Sequence, residues 1–237
     1  RQVLNCKYQL SNKQVRFKVS NYSPDATIVI DPTLIFSTFT GSAADNWGYT
    51  ATPGPDGTMF AAGIAFDFGY KTSPGAYREN FIGGVDVDGH GPYDIAIIKL
   101  SSNGADRLYG TYLGGNGNEQ PHSMICDAQG NLIVAGRTNS STYPTTIPFI
   151  GTAGGYDIVV SKFNATGTLL PGSIKIGGSR DDGVNIKPKY VSLAGIAPGG
   201  QTDGAFETRR NYGDDARSEV ILNAANEILL VSCTQSI

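Results

Sequence analysis

Short apolar runs, each bounded by glycine, asparagine or aspartate, recur along most of the chain. Three of them fall in residues 107 to 138: Leu108 to Leu113, His122 to Cys126, and Leu132 to Ala135. None is long enough for a typical helix and all have turn-forming flanks, so the pattern predicts strands. Between the second and third lies Asp127-Ala128-Gln129-Gly130-Asn131. Glycine reaches positive φ without a steric penalty, which predicts a tight hairpin there.

The pattern repeats. Gly41, Gly57 and Gly63 stand 73 residues before Gly114, Gly130 and Gly136 (114−41, 130−57, 136−63). A fourth run follows each copy, Tyr93 to Leu100 and Tyr156 to Phe163, now 63 apart (156−93). Each fourth run ends in a matching turn, Asn103-Gly104 and Thr166-Gly167. A third copy begins at Gly172 to Gly178 with the same offset of 63 (177−114). It resumes at an offset of 96, Gly213 against Gly117 and Ile228 against Leu132 (213−117, 228−132). The difference, 96−63, predicts a 33-residue insertion between the first and second strands of that copy, over residues 179 to 211. Phe60, Leu132 and Ile228 are expected in similar buried environments.

Four strands per unit, repeated with variable loops, is the signature of β-propeller blades. The expectation is an all-β chain: a partial β-propeller of four-stranded blades, two full and one incomplete, at about 33–106, 107–169 and 170–237. Residues 1–32 do not fit the blade pattern. Val3 to Leu10, Val15 to Val19 and Ala26 to Ile30 read as three strands of a β-rich segment. Its boundary is expected near Asp31-Pro32, since proline cannot donate to a ladder. The third copy has no counterpart of the Tyr93 or Tyr156 strand. The residues are therefore expected to be part of a longer propeller, completed by further residues or chains, because bare blade faces and an open strand edge invite association.

Thr111-Tyr112-Leu113-Gly114-Gly115, Asp127 to Asn131, Ala135-Gly136-Arg137-Thr138-Asn139-Ser140 and Tyr143-Pro144-Thr145 resemble the SBBP family, the seven-bladed β-propeller repeat of bacterial surface and secreted proteins. Ser73 to Tyr77, Gly83-Gly84 and Asp94-Ile95-Ala96 fit the later half of that repeat. The resemblance covers roughly residues 33 to 237. It implies a secreted or cell-surface location and a tie to adhesion or gliding motility. The matched positions are turns and core, so it names no ligand.

Composition narrows the partners. Charged residues are 16% of the chain, below the usual quarter, and glycine is abundant at 31 residues, as suits a turn-rich β protein. The net charge of −3 and the lack of a basic stripe argue against nucleic acid. No apolar run approaches a membrane span. Cys6, Cys126 and Cys233 form no CxxC pair and read as buried free thiols, with one disulfide plus one free thiol as the alternative.

The candidate chemistry is sparse. Three long connections, residues 66–92, 139–155 and 179–212, are expected on one face, where they either build a binding surface or cap the blades. Asp86-Val87-Asp88-Gly89-His90 followed by Asp94 has the oxygen-rich look of a calcium loop, but Gly89 to Asp94 is too long for that pattern. Asp94 reads as a turn residue, because Asp157 repeats it without the upstream acids. Asp181-Asp182 and Asp214-Asp215 are paired carboxylates of the kind used for glycoside cleavage. Asp214-Asp215 is expected to be the repeat counterpart of Asn118-Glu119, hence structural. Arg209-Arg210 beside Glu207 reads as a solvated loop. His90 and His122 lie in no HxxxH or HExxH pattern, and no GxSxG elbow occurs. No catalytic residue, metal ligand or cofactor is assigned, and the binding residues are not identified. The expected function is a non-catalytic extracellular module, a scaffold or a binder of glycan or protein at the cell surface. The alternative is a polysaccharide hydrolase or lyase using acids on the expanded loops.

Overall fold

A computed structural model describes residues 4, 6–11, 14–25, 27, 34–85, 92–183 and 218–234. The fold is all-β, as the short alternating runs require. The chain divides into two compact units, Arg1–Ile35 and Phe36–Ile237. The first contains an antiparallel hairpin of β1 (Cys6–Ser11) and β2 (Gln14–Val19), closed at Ser11 opposite Gln14. The expected third strand at Ala26 to Ile30, apart from Thr27, and the boundary at Asp31-Pro32 lie outside the described residues.

The second unit is built from successive antiparallel sheets. The first is a meander of β3 (Asn46–Pro53), β4 (Met59–Ala65), β5 (Asp94–Leu100) and β6 (Arg107–Leu113). The second contains β7 (Glu119–Cys126), β8 (Leu132–Thr138), β9 (Ile150–Gly151), β10 (Asp157–Phe163) and β11 (Gly172–Gly177), in the order β7-β8-β10-β11-β9. The third is a pair, β12 (Glu219–Leu222) and β13 (Ile228–Val231). β3 and β12 both lie against β7.

The sheets are displaced by one strand from the sequence repeats, which corrects the expected unit limits of 33–106, 107–169 and 170–237. β6 opens the second repeat but pairs with β5 of the first, with Ile95 opposite Leu113 and Ile98 opposite Gly110. β11 pairs with β10 in the same way, with Val160 opposite Ile174. The reason is local. Residues 101–106 form a tight turn in which Gly104 N–H donates to Ser101 O at 2.9 Å and Ser101 N–H to Asp106 O at 2.9 Å. Such a turn makes β5 and β6 a hairpin before any other partner is available. The first strand expected of the first copy, Leu34 to Thr40, forms no strand. No counterpart of β5 lies beside it among the described residues.

Each strand feeds two cores, since alternate side chains point to opposite sheet faces. Phe60, Ala62, Ile95 and Ile97 of the first sheet meet Met124, Leu132, Val134 and Val159 of the second. The other face of the second sheet, with Ile133, Ala135 and Val160, meets Val220, Leu222 and Leu230. Phe60 and Leu132 are therefore both buried, but on opposite faces of their sheets. The repeat partner of Leu132 is Met59 and that of Phe60 is Ile133, at the offset of 73 (132−59, 133−60). Ile228 departs from expectation: it is 40% exposed, although it shares a face with Leu222 and Leu230.

The insertion sits later than expected. Asp182 N–H donates to Tyr156 O at 2.7 Å, as Glu119 N–H does to Tyr93 O at 3.1 Å. Asp181 Oδ1 accepts Tyr156 N–H at 3.0 Å, as Asn118 Oδ1 accepts Tyr93 N–H at 3.1 Å. Asp181-Asp182, rather than Asp214-Asp215, thus stand in the places of Asn118-Glu119, at offset 63 (182−119). The offset becomes 96 at Ser218, the counterpart of His122 (218−122). The extra residues enter the inner strand at the position of Pro121, where the second sheet already shifts register between Pro121 and Ser123. The first sheet shifts at the matching place, between Gly48 and Thr50. A bulge has a residue outside the ladder, so chain can be added there at low cost.

The long connections run along the outer strands. Ser73 N–H donates to Gly110 O at 2.9 Å and Tyr112 N–H to Arg78 O at 3.0 Å, which covers β6. Thr146 N–H donates to Ser173 O at 2.9 Å, and β9 pairs in parallel with β11, which covers that edge. Residues 66–85 and 139–155 thus cap the outer strands. The hairpin turns also repeat: Gly57, Gly130 and Asn226 have φ of 73°, 83° and 60° at equivalent positions. Asparagine tolerates this left-handed region better than other non-glycine residues.

Two outcomes follow. Ile133→Ala, which empties a fully buried position, is expected to cost about 2–5 kcal/mol in urea unfolding, whereas Val231→Ala on the open face changes stability by less than about 0.5 kcal/mol. Replacing residues 184–217 by a single residue is expected to leave the β-sheet circular dichroism and the unfolding midpoint near wild type. Asp182→Ala, which removes the carboxyl that holds Gly178 N–H and Thr234, is expected to lower the midpoint. An unchanged midpoint in Asp182→Ala would refute the revised register.

Candidate functional site

The junction between the first two sheets buries two carboxyl groups. Asp94 opens β5 and Glu119 opens β7, and both are fully buried. Asp94 Oδ2 accepts the N–H groups of Ile82 and Gly83 at 2.8 and 3.1 Å. Glu119 Oε2 accepts Gly115 N–H at 3.2 Å, and Thr138 Oγ1 donates to Glu119 Oε1. The remaining oxygen of Asp94 has no donor. It faces Glu119 across Gly114: a Cβ on that glycine would lie 2.3 Å from Asp94 Oδ1 and 2.6 Å from Glu119 Oε2. Any side chain at position 114 would separate the pair.

Two carboxylates this close cannot both be ionised in a dry site, so the pair retains a proton. Burial raises the Asp94 carboxyl above its usual range. Burial, then the neighbouring Asp94 charge, push Glu119 up to about 8 against the donating effect of Thr138.

The next junction repeats the arrangement with different charge. Asp157 and Asp182 replace Asp94 and Glu119, both at offset 63 (157−94, 182−119). Gly178 N–H donates to Asp182 Oδ2 at 2.7 Å, and Thr234 Oγ1 donates to Asp182 Oδ1. Here Lys175 stands at the place of Tyr112, and its Nζ lies 2.9 Å from Asp157 Oδ2 and 2.9 Å from Ser140 O. The ammonium reaches Oδ2 alone: Asp157 Oδ1, which faces Gly177, has no donor, as Asp94 Oδ1 has none. Asp181 and Asp182, the paired carboxylates weighed for glycoside cleavage, accept backbone N–H groups and the Thr234 hydroxyl here. Asp94 is a buried junction acid as well as a turn anchor. The repeat offset that aligns Asp94 with Asp157 was the signal available for both pairs.

A second feature is an apolar hollow of about 60 Å³ in the first sheet. Ala61, Gly63, Ala96, Ile98, Tyr70 and Trp47 line it, with Thr40 and Asn46 at hand. It lies on the face of the first sheet turned away from the second. The second sheet carries Val134 and Val159 where the first carries Ala61 and Ala96 (134−61, 159−96). There the first sheet fills the corresponding space with Ala62, Ile95 and Ile97. The alanines at these two places leave the hollow unfilled. Nearby, Trp47 meets Phe66 edge-on at 5.0 Å and Phe66 meets Tyr93 at 5.7 Å.

Other sequence candidates do not converge on this hollow. His122 is buried in β7, where its Nδ1 accepts Ser218 N–H at 3.3 Å. Asp86, Asp88, His90, Glu207, Arg209, Arg210, Asp214 and Asp215 lie outside the described residues. No group of three or more metal-ligating side chains occurs among the described residues. No disulfide joins the three cysteines. The expectation that they are buried is corrected: Cys6 is exposed, and Cys126 and Cys233 are half-buried near strand ends. No described helix is long and apolar enough to cross a membrane.

No protein-family model and no curated protein matches the chain.

The carboxyl pair sets a pH dependence. Between the ordinary value of 4.5 and about 8, the folded protein holds a proton on Glu119 that the unfolded chain has released. Stability from this group is full below that window and falls with rising pH, by up to about 1.4 kcal/mol per unit, until the folded value is passed. Glu119→Gln supplies a fixed donor to Asp94. Its urea midpoint is expected to lose this slope and to match or exceed wild type at the alkaline end. Parallel midpoint curves for the two proteins across the window would exclude the shared proton.

Proposed function

We propose that this chain is a non-catalytic extracellular module whose stacked sheets are blades of a β-propeller of the SBBP type. In this reading it acts as a rigid scaffold, or as a binder of protein or glycan, in a bacterial surface or secreted protein concerned with adhesion or motility. One observation carries the reading: the same strand positions build both inter-sheet cores, Phe60 and Ala62 at the first, and Ile133 and Ala135 at the second. A structure that spends its alternating positions on stacking like units is a framework, and its function lies in what its surface presents. The buried acids support the non-catalytic part. Asp94, Glu119 and Asp182 are closed off from solvent and bound to backbone N–H groups. A carboxyl group in that position holds a junction and does not reach a substrate.

The test is a panel of polysaccharides and a glycan array with the purified protein. Specific retention on the array, or capture of a cell-surface protein, without release of reducing ends is the expected result. Reducing-end release by folded protein, lost in Asp181→Asn, would replace this reading by that of a polysaccharide-cleaving enzyme.

A further inference from the structure

Lys175 and Asp157 meet in the dry interior of the second junction. β11 pairs with β10 so that Lys175 stands opposite Val159. Asp157 lies two residues from Val159, on the same face, as the diagonal neighbour of Lys175 and within reach of its long side chain. Nζ is 2.9 Å from Asp157 Oδ2, and the two side chains are 12% and 2% exposed. The ammonium also donates to Ser140 O at 2.9 Å and lies 5.4 Å from the centre of the Phe149 ring. Asp157 Oδ1 has no donor.

A second acid completes the set. Asp182 is fully buried and stands in the place of Glu119, the acid that faces Asp94 across Gly114. Burial raises the Asp157 carboxyl; Lys175 opposes the rise and the Asp182 charge adds to it. An amine, the carboxyl it touches and a further carboxylate to move protons are the parts of an amide-forming reaction. The first junction has its two acids but Tyr112 in place of the lysine, so it lacks the nucleophile. The other ion pair, Lys162 to Asp127 at 3.0 Å, lacks the dry setting, with Lys162 35% exposed. Burial pushes Asp127 up, but hydrogen bonds from Asn131 and Lys162 leave it below its usual range, so this pair stays ionic.

We propose that Lys175 and Asp157 condense, once per molecule and within the folded protein, to an amide bond that staples β11 to β10. One ammonium proton passes to the Asp157 carboxylate, which leaves a neutral amine beside a neutral carboxyl. The nitrogen lone pair attacks Asp157 Cγ. Asp182 takes a second proton from the nitrogen and passes it to the departing hydroxyl, and so returns to its starting state. The Nζ–Cγ bond forms and one Cγ–O bond breaks. Of the three ammonium hydrogens, one stays on the amide and two leave with the carboxyl oxygen as water. No oxidant or co-reactant is needed. Two buried ions give way to a neutral amide, which favours the product in a site closed to water. The staple secures the outer strand that the second sheet takes from the following repeat. It consumes the chain's own side chains, so it needs no access for a substrate and is independent of the function proposed above.

The experiment is mass spectrometry of the intact chain, incubated folded at neutral pH and then denatured. Wild type is expected to be lighter than its sequence mass by one water. Its tryptic digest is expected to contain a branched peptide that joins residues 138–162 to residues 163–180, uncut at 175. Lys175→Arg keeps a cation beside Asp157 but offers no nucleophilic amine. It is expected to hold its full sequence mass while circular dichroism shows it folded. Asp182→Asn carries no proton and is expected to slow the loss of water by about a hundredfold or more. Wild type that keeps its full mass through prolonged incubation overturns the proposal, whatever the variants do. So does a loss of water that persists in folded Lys175→Arg or maps to other residues. A wild-type rate in folded Asp182→Asn overturns the part given to that acid.

Discussion

Two-sided burial is the constraint on which the second unit depends. A strand whose alternate residues are all apolar has no face to offer to water. β4 shows this, with Phe60 and Ala62 in one core and Met59, Ala61 and Ala65 in another. So does β8, with Leu132 and Val134 on one side and Ile133 and Ala135 on the other. Such sheets are stable when another sheet or a loop lies on each side. The chain meets this need by repeating itself, so that each copy covers the one before.

Stacking in this way creates a polar problem where strands begin. The first residues of β5, β7 and β10 are Asp94, Glu119 and Asp157, all buried. Asp94 accepts N–H groups from the β4–β5 connection, at Ile82 and Gly83, and Glu119 accepts one from the turn between the first two sheets, at Gly115. The glycines at 114 and 177 allow the acids to approach, since a Cβ there would meet Asp94 Oδ1 at 2.3 Å and Asp157 Oδ1 at 2.1 Å. The two junctions share a backbone geometry, and burial raises the carboxyls of Asp94 and Asp157 alike, with Lys175 paired to Asp157 at the second.

The outer edges pose a further problem, because an open ladder of N–H and C=O groups pairs with whatever it meets. The long connections answer it. Residues 66–85 lie along β6 and residues 139–155 along β11, with Ser73 and Thr146 making the same contact to Gly110 and Ser173. Aromatic side chains on these loops, Tyr70 and Tyr143, enter the neighbouring cores as well. Part of the length of these loops is thus spent on edge protection.

The sequence by itself determined the strand class, the hairpin turns and the repeat, because these depend on alternation, on glycine at positive φ and on constant spacing. It also carried the carboxyl pairs, visible as Asp94 and Asp157 at one offset. Which strand joins which sheet was decided only by the tertiary structure. The tight turn at residues 101–106 makes β6 the neighbour of β5, so each sheet takes its outer strand from the following repeat. Linear spacing is blind to that choice, since a strand keeps its pattern whichever neighbour it pairs with. The same blindness put Phe60 and Leu132 in one class, although a shift of one residue turns a side chain to the opposite face. It also hid the place of the insertion, because an extra segment at a bulge leaves the strands on either side intact. Only the hydrogen bonds of Asp181 and Asp182 reveal on which side of it they belong.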